Sequence, residues 1–256
     1  MGALILLLKI AKYQKNICIF LHTCYYCGIR GSFMSKISNK TKLKQGRGTG
    51  EGKEYKPFIK TREFNSMGTC SNIVDWKTGR QMQFLSQTEM YVFMQLRWDD
   101  SVDEIREQFP LDLDRLSIII SKTNAELTEH GKPALVVKYD KQHWLTTDMV
   151  VYKKGTVAEA ISVKYDKTSL SSKDVETIWV EKKYWAEQNV PLKLMDRTDV
   201  NQILVKKLRI VMEYYDPDKV FDEDSYIKHM IATKQLDVSI ENELLDLRKI
   251  KNLIGE

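Results

Sequence analysis

Leu145-Thr146-Thr147-Asp148-Met149-Val150-Val151-Tyr152-Lys153-Lys154-Gly155-Thr156-Val157-Ala158-Glu159-Ala160-Ile161-Ser162-Val163-Lys164 is the stretch on which the fold turns. Residues 143–152 and 156–165 are rich in Thr, Val, Ile and Tyr, side chains that suit a pleated, half-buried surface. Lys153-Lys154-Gly155 between them predicts a three-residue hairpin loop that closes on a left-handed glycine. That loop pairs Tyr152 with Thr156 and sets Asp148 opposite Ala160. Side chains alternate between faces, so Asp148, Ser162 and Lys164 then share one face. A two-residue loop would slip the register by one and send Asp148 to the opposite face. An Asp on one strand and Ser-x-Lys on the next suit chemistry on a phosphodiester. The carboxylate offers hard oxygen to a divalent cation, and the lysine can orient or deprotonate a water and steady phosphoryl charge. The same residues equally fit the exposed face of an edge hairpin.

Upstream, Ser86-Gln87-Thr88-Glu89 reads as a capping box that opens a helix to about Trp98, with Met90, Phe93, Met94 and Arg97 at helical spacing. The box accounts for Glu89 without any metal. Residues 102–108 predict a strand ended by Pro110, and residues 114–127 an inserted helix on Leu116, Ile119, Ile120 and Leu127. Downstream, Ser171 or Ser172 caps a helix with Val175, Ile178, Trp179 and Trp185 apolar, and residues 190–195 return to an extended pattern. Residues 199–215 and 225–253 read as helices, with Ile227, Met230, Ile231, Leu244, Leu245, Leu247 and Ile250 apolar.

Composition sets the limits around these elements. The chain has 256 residues, 43% hydrophobic and 29% charged, which excludes a disordered or fibrous protein and fits one large or two modest domains. Its four cysteines do not make a small disulfide framework, and no run reaches the ~18 apolar residues of a membrane span, so a cytoplasmic protein is expected. Charge is uneven. Residues 34–63 hold nine bases and three acids, whereas residues 213–256 hold six bases and eleven acids. Gly46, Gly48, Gly50 and Gly52 alternate through the basic segment and predict a flexible arm over residues 34–62. Such an arm suits a phosphate backbone, and a solubilising tail equally well. Residues 1–33 read as a start-site extension ahead of Met34. Cys24 and Cys27 have the spacing of a zinc half-site, but Cys18, His22 and Cys70 supply no second knuckle.

In order, the elements are helix, strand, inserted helix, strand, strand, helix, strand, which resembles the α/β core of the PD-(D/E)xK (restriction-endonuclease-like) nucleases, a mixed sheet flanked by helices. A run of motifs narrows the resemblance. Thr78-Gly79-Arg80, Phe84-Leu85-Ser86 with Glu89, Asp103 to Leu111, Leu145 to Asp148, Ser162-Val163-Lys164 and Trp179 to Trp185 occur together and in sequence. They resemble the TnsA-type endonuclease subunits of heteromeric bacterial transposases. The resemblance covers about residues 55–195.

The resemblance implies a nuclease domain over residues 63–196 and a small helical, winged-helix-like C-terminal domain over residues 197–256, whose acidity suits a protein partner. It implies cleavage of the 5′ strands at transposon ends beside a DDE transposase (TnsB-like) that handles the 3′ ends, with an AAA+ regulator (TnsC-like) and no membrane. The implied cofactor is Mg²⁺, with Mn²⁺ able to substitute. By position, Glu89, Asp148, Lys164 and Glu181 carry catalysis, and Glu89, Asp148, Ser162 and Val163 carry the metal. Glu89 can serve cap and metal together if its side chain turns away from the cap. Ser162 departs from the Glu or Gln usual two residues before the lysine. It is a short, neutral ligand, which shifts part of the metal shell to water or Glu181.

Overall fold

The hairpin closes more tightly than its sequence predicts. In a computed structural model, described for residues 37–63, 70–238 and 245–254, β4 (Thr146–Lys153) and β5 (Thr156–Val163) leave only Lys154 and Gly155 in the turn. Both have positive φ, 51° and 70°, as a two-residue turn matched to strand twist requires. Lys153 faces Thr156 and Tyr152 faces Val157, one step from the expected register. A bulge then leaves Ala158 unpaired, and beyond it Val150 faces Ala160 and Met149 faces Ile161. One further step sets Asp148 opposite Ser162, not Ala160. The turn and the bulge each shift the register by one. Their sum is even, so Asp148 and Ser162 keep the common face.

β3 (Glu104–Pro110) runs antiparallel to β4, and β6 (Leu192–Met195) runs parallel to β5, giving a mixed sheet of order β3-β4-β5-β6. Pro110 is the last residue of β3, so the strand ends there as its sequence predicts, at a sheet edge that tolerates proline. α2 (Gln87–Trp98) starts on Ser86, α3 (Leu113–Glu129) on Asp112 and α4 (Ser172–Ala186) on Ser171, each cap accepting a first-turn N–H. The sheet buries both faces. Leu116 and Ile119 of α3 and Val180 and Trp185 of α4 pack with Val150 and Ala160. Val92 and Phe93 of α2 pack on the other side with Met149, Val151 and Ile161.

One element has no counterpart in the sequence reading. β1 (Ser71–Val74) and β2 (Gln81–Phe84) form a separate hairpin. The Arg80 guanidinium ties it to the sheet through both oxygens of buried Glu107, at 2.9 and 2.7 Å.

The basic segment is folded from Ile37 onward rather than flexible. α1 (Asn39–Lys44) is capped by Ser38, and Arg47 is buried against Glu63 at 2.7 Å. Tyr55 and Phe58 are buried too, with the Tyr55 hydroxyl donating to the Glu107 carbonyl. The alternating glycines are a series of positive-φ positions. At Gly50 a Cβ would lie 2.4 Å from the Glu54 carbonyl oxygen, so the strap needs glycine there.

The C-terminal helices are shorter than expected and share the nuclease core. α5 (Gln202–Val211), α6 (Glu223–Ala232) and α7 (Leu247–Ile254) replace the two long helices. α6 starts on Asp222, with Ser225 buried in its first turn. Leu204, Leu208, Val211, Ile227 and Ile231 belong to the same cluster as Phe84, Phe93 and Met149. The described residues from Ile37 onward form one compact unit. The division at 196/197 is therefore no boundary between cores. No strand occurs among the described residues after Met195, so no wing is seen there. Cys18, His22, Cys24, Cys27, Met34 and Leu244 lie outside the described residues. No described helix is long and apolar enough to cross a membrane.

Candidate active site

Four elements converge at one end of β4 and β5: the first turn of α2, the irregular middle of β3, the start of β4 and the buried face of α4. Glu89 stands in the first turn of α2, where the Ser86 hydroxyl accepts its N–H at 3.1 Å. Its carboxylate does not turn away from the cap. Oε1 accepts from the Ser86 hydroxyl at 2.9 Å, and Oε2 accepts from the Leu85 N–H at 3.0 Å. The same Oε2 accepts from the Gln108 amide at 3.3 Å. Cap and site are thus one carboxylate in one conformation.

Asp148 lies between the other groups. Its Oδ2 accepts the Val163 N–H at 2.7 Å, and the Gln108 side chain hydrogen-bonds it. Val163 therefore enters the site through its backbone, while its side chain is part of the core. The Ser162 hydroxyl hydrogen-bonds Glu181, so it acts on a neighbouring acid. Lys164 holds Asp174 at 3.3 Å, at the N-terminus of α4. Glu181 is buried on α4, where the Thr147 hydroxyl donates to it at 2.7 Å and itself accepts from the Trp185 indole N–H at 2.8 Å.

The electrostatics are short of positive charge. Burial first, then the Asp148 charge, raises both the Glu89 and the Glu181 carboxyl to about 8. Burial likewise lifts Asp148 above the ordinary carboxylate range, against the pull of the Val163 N–H and Lys164. Three acids thus crowd one lysine that is itself shared with Asp174. No three acidic, His or Cys side chains among the described residues form a ready metal cage. A site of this kind still suits Mg²⁺, which takes one or two carboxylates and fills its shell with water and phosphate oxygen. The donor set fits, with Glu89 and Asp148 as the candidate carboxylates.

Sequence reasoning missed Gln108, Thr147 and Trp185 as members of this site, although all three fall within the quoted motifs. Gln108 has φ of 49° inside a strand and is buried. A non-glycine residue in that region is strained, and such strain gathers at functional sites. Its only signal in the sequence is its place beside Glu107, whose ion pair with Arg80 pins β3.

A mixed four-stranded sheet with helices on both faces, and an Glu-Asp-Lys cluster at the end of its central hairpin, define a restriction-endonuclease-like nuclease core. Residues 99–197 match the family model described as TnsA-like endonuclease N terminal, so the chain carries a TnsA-like endonuclease domain there. The Tn7 transposition protein TnsA of Escherichia coli is 30% identical over 178 residues, covering 69% of this chain. The match spans 63% of that protein's length.

Proposed function

We propose that the chain is the endonuclease subunit of a cut-and-paste, Tn7-like transposase, hydrolysing the 5′ strands at transposon ends. The observation that carries this reading is the meeting of Glu89, Asp148, Lys164 and Glu181 around one sheet end in a TnsA-like domain. Its partners are transposon-end DNA, a TnsB-like DDE transposase that acts on the 3′ strands, and a TnsC-like AAA+ regulator, all in the cytoplasm.

Glu89 and Asp148 would hold Mg²⁺, or Mn²⁺ in its place. When bound, the cation lowers the pKa of a coordinated water and offsets phosphate charge. The chain's own groups do the remaining work. Lys164 swings from Asp174 to orient the attacking water and to stabilise charge on the phosphate in the transition state. Gln108 holds the Glu89 and Asp148 carboxylates in one arrangement. Thr147 and Ser162 fix Glu181 beside Asp148, where it can take up a proton near neutral pH. Ser162, being too short to complete the acidic shell, leaves that role to Glu181.

The test is strand-specific cleavage of transposon-end DNA in the reconstituted complex with the DDE subunit and Mg²⁺. Loss of 5′-strand cuts in Asp148→Ala, with 3′-strand chemistry retained, is the expected result. Unchanged 5′ cutting in both Asp148→Ala and Lys164→Ala would make the chain a non-catalytic assembly subunit. Fixed-site cutting by the isolated chain would favour a restriction or junction-resolving nuclease.

A further inference from the structure

The folded strap ahead of β1 carries a cationic edge that the candidate site does not use. Lys56 and Arg62 are exposed and Lys60 is half-buried. Lys60 lies within electrostatic reach of Arg47, Arg62 and Lys56, with Glu63 as the opposing carboxylate. Glu63 is already engaged, by Arg47 at 2.7 Å and Lys42 at 3.9 Å. Surplus positive charge is thus concentrated on one short segment. Concentration of like charge opposes folding and suits a polyanionic partner.

The strap is also fixed in place beside the candidate site. Phe58, between Lys56 and Lys60, donates its N–H to the Gln108 carbonyl at 3.2 Å. Gln108 in turn donates to Glu89. Thr61 donates its N–H to Gln83 at 3.2 Å, and the Gln83 N–H donates to Glu107. Two hydrogen bonds therefore connect the cationic edge to a candidate metal ligand. The described rings of the strap are turned inward: Tyr55 is buried against the Glu107 carbonyl, and Phe58 packs at a tilt on Trp144, with ring centroids 5.1 Å apart. With no exposed ring between its cations, the edge offers nothing for unpaired bases to stack on, which favours duplex over single strand.

We propose that Lys56, Lys60 and Arg62 form a contact surface for the phosphate backbone of double-stranded DNA, seating the duplex beside Glu89 and Asp148. The proposal rests on the nuclease reading for its choice of DNA over an acidic protein. The contacts are to phosphate alone, so the surface is blind to sequence and positions the scissile strand without selecting it.

The experiment is salt-dependent binding of the full chain to a random-sequence duplex, with Ca²⁺ in place of Mg²⁺. The variants are Lys56→Gln/Lys60→Gln/Arg62→Gln and a control Lys122→Gln/Lys132→Gln/Lys138→Gln on exposed positions elsewhere. Each lost phosphate contact removes about 0.9 from the slope of log K against log salt. The strap triple is therefore expected to flatten the slope by about two to three and to weaken low-salt binding roughly tenfold or more. The control triple keeps the wild-type slope, and neither triple lowers the unfolding midpoint. Equal slopes for strap triple and wild type would overturn the proposal, as would wild-type binding that ignores salt. A triple that loses only an acidic polypeptide, with duplex binding intact, would overturn it in favour of a protein partner. Failure of the nuclease reading looks different: the slope change persists, but the complex never cuts a 5′ strand.

Discussion

Gln108 reaches from the middle of β3 to Glu89 on α2, its amide 3.3 Å from the carboxylate that also caps the helix. It does so from a left-handed backbone in a buried strand position. Gln108→Gly relieves the backbone strain, on the order of 1–3 kcal/mol, while deleting the bridge. The variant is expected to unfold at a urea midpoint no lower than wild type, yet to bind Mn²⁺ at least tenfold more weakly by calorimetry. Gln108→Val, β-branched at the same φ, should lose both stability and binding. Wild-type Mn²⁺ affinity in Gln108→Gly would show that Glu89 needs no such brace.

Asp148→Asn removes a charge from the middle of three acids, and Lys164→Ala removes the one lysine among them. Each is expected to lower 5′-strand cleavage in the reconstituted complex by about 10²- to 10⁴-fold. Asp174→Asn differs in kind: it frees Lys164 but removes the box partner of Ser171 on α4, at roughly 1 kcal/mol. Single-turnover rates beside urea midpoints separate the two effects, because Lys164→Ala leaves α4 capped.

Stability without metal should fall as pH rises. Glu89 and Glu181 ionise near 8 in the folded chain, against an ordinary value of 4.5. Between those values the folded protein holds protons that the unfolded chain releases, so the stabilisation is complete below about 4.5 and is lost through about 8. Urea midpoints in chelator from pH 5 to 9 should trace that decline. Glu181→Gln should make it shallower, and Mn²⁺ at pH 8 should reverse part of it. A flat profile would mean the two carboxyls titrate normally.

Gly50→Ala tests the strap. A Cβ there meets the Glu54 backbone, and φ is 93°. The cost expected is about 1–3 kcal/mol, read as a lowered midpoint with new protease cutting near residue 50. A flexible arm would show neither.

Truncation after Asp196 should not yield a folded nuclease domain. It strips Leu204, Leu208 and Ile227 from the face that covers Phe93 and Met149. Within the full chain, Leu208→Ala is expected to cost about 2–5 kcal/mol. A truncated chain with a cooperative melt would restore the two-domain division.

Element types were legible where periodicity or caps are strong. Ser86 announces α2 through Glu89 three positions on, a serine at 171 or 172 announces α4, and the β-rich runs on either side of Lys153-Lys154-Gly155 announce the hairpin. The loop length was not legible, because Lys154 shows no local preference for positive φ. The bulge at Ala158 has no residue-type signal in the sequence. β1 and β2 went unread because four-residue strands carry too little pattern, and their hold on the sheet is the Arg80–Glu107 pair, a long-range contact. The glycines misled for a physical reason: positive φ serves a tight folded path as well as a loose one. Glu89, Asp148, Lys164 and Glu181 could be picked out by motif, whereas Gln108 is set apart by a dihedral angle that no residue type reveals.

The turn at Lys154-Gly155 and the bulge at Ala158 form a matched pair of odd steps, and this has a consequence for how such chains can change in length. Removing Ala158 alone would turn Asp148 away from Ser162, as would adding one residue to the turn alone. Doing both together would restore the facing. Insertions and deletions in this hairpin can therefore be tolerated only in compensating twos. A relative with a longer turn is expected to have a straighter strand after it.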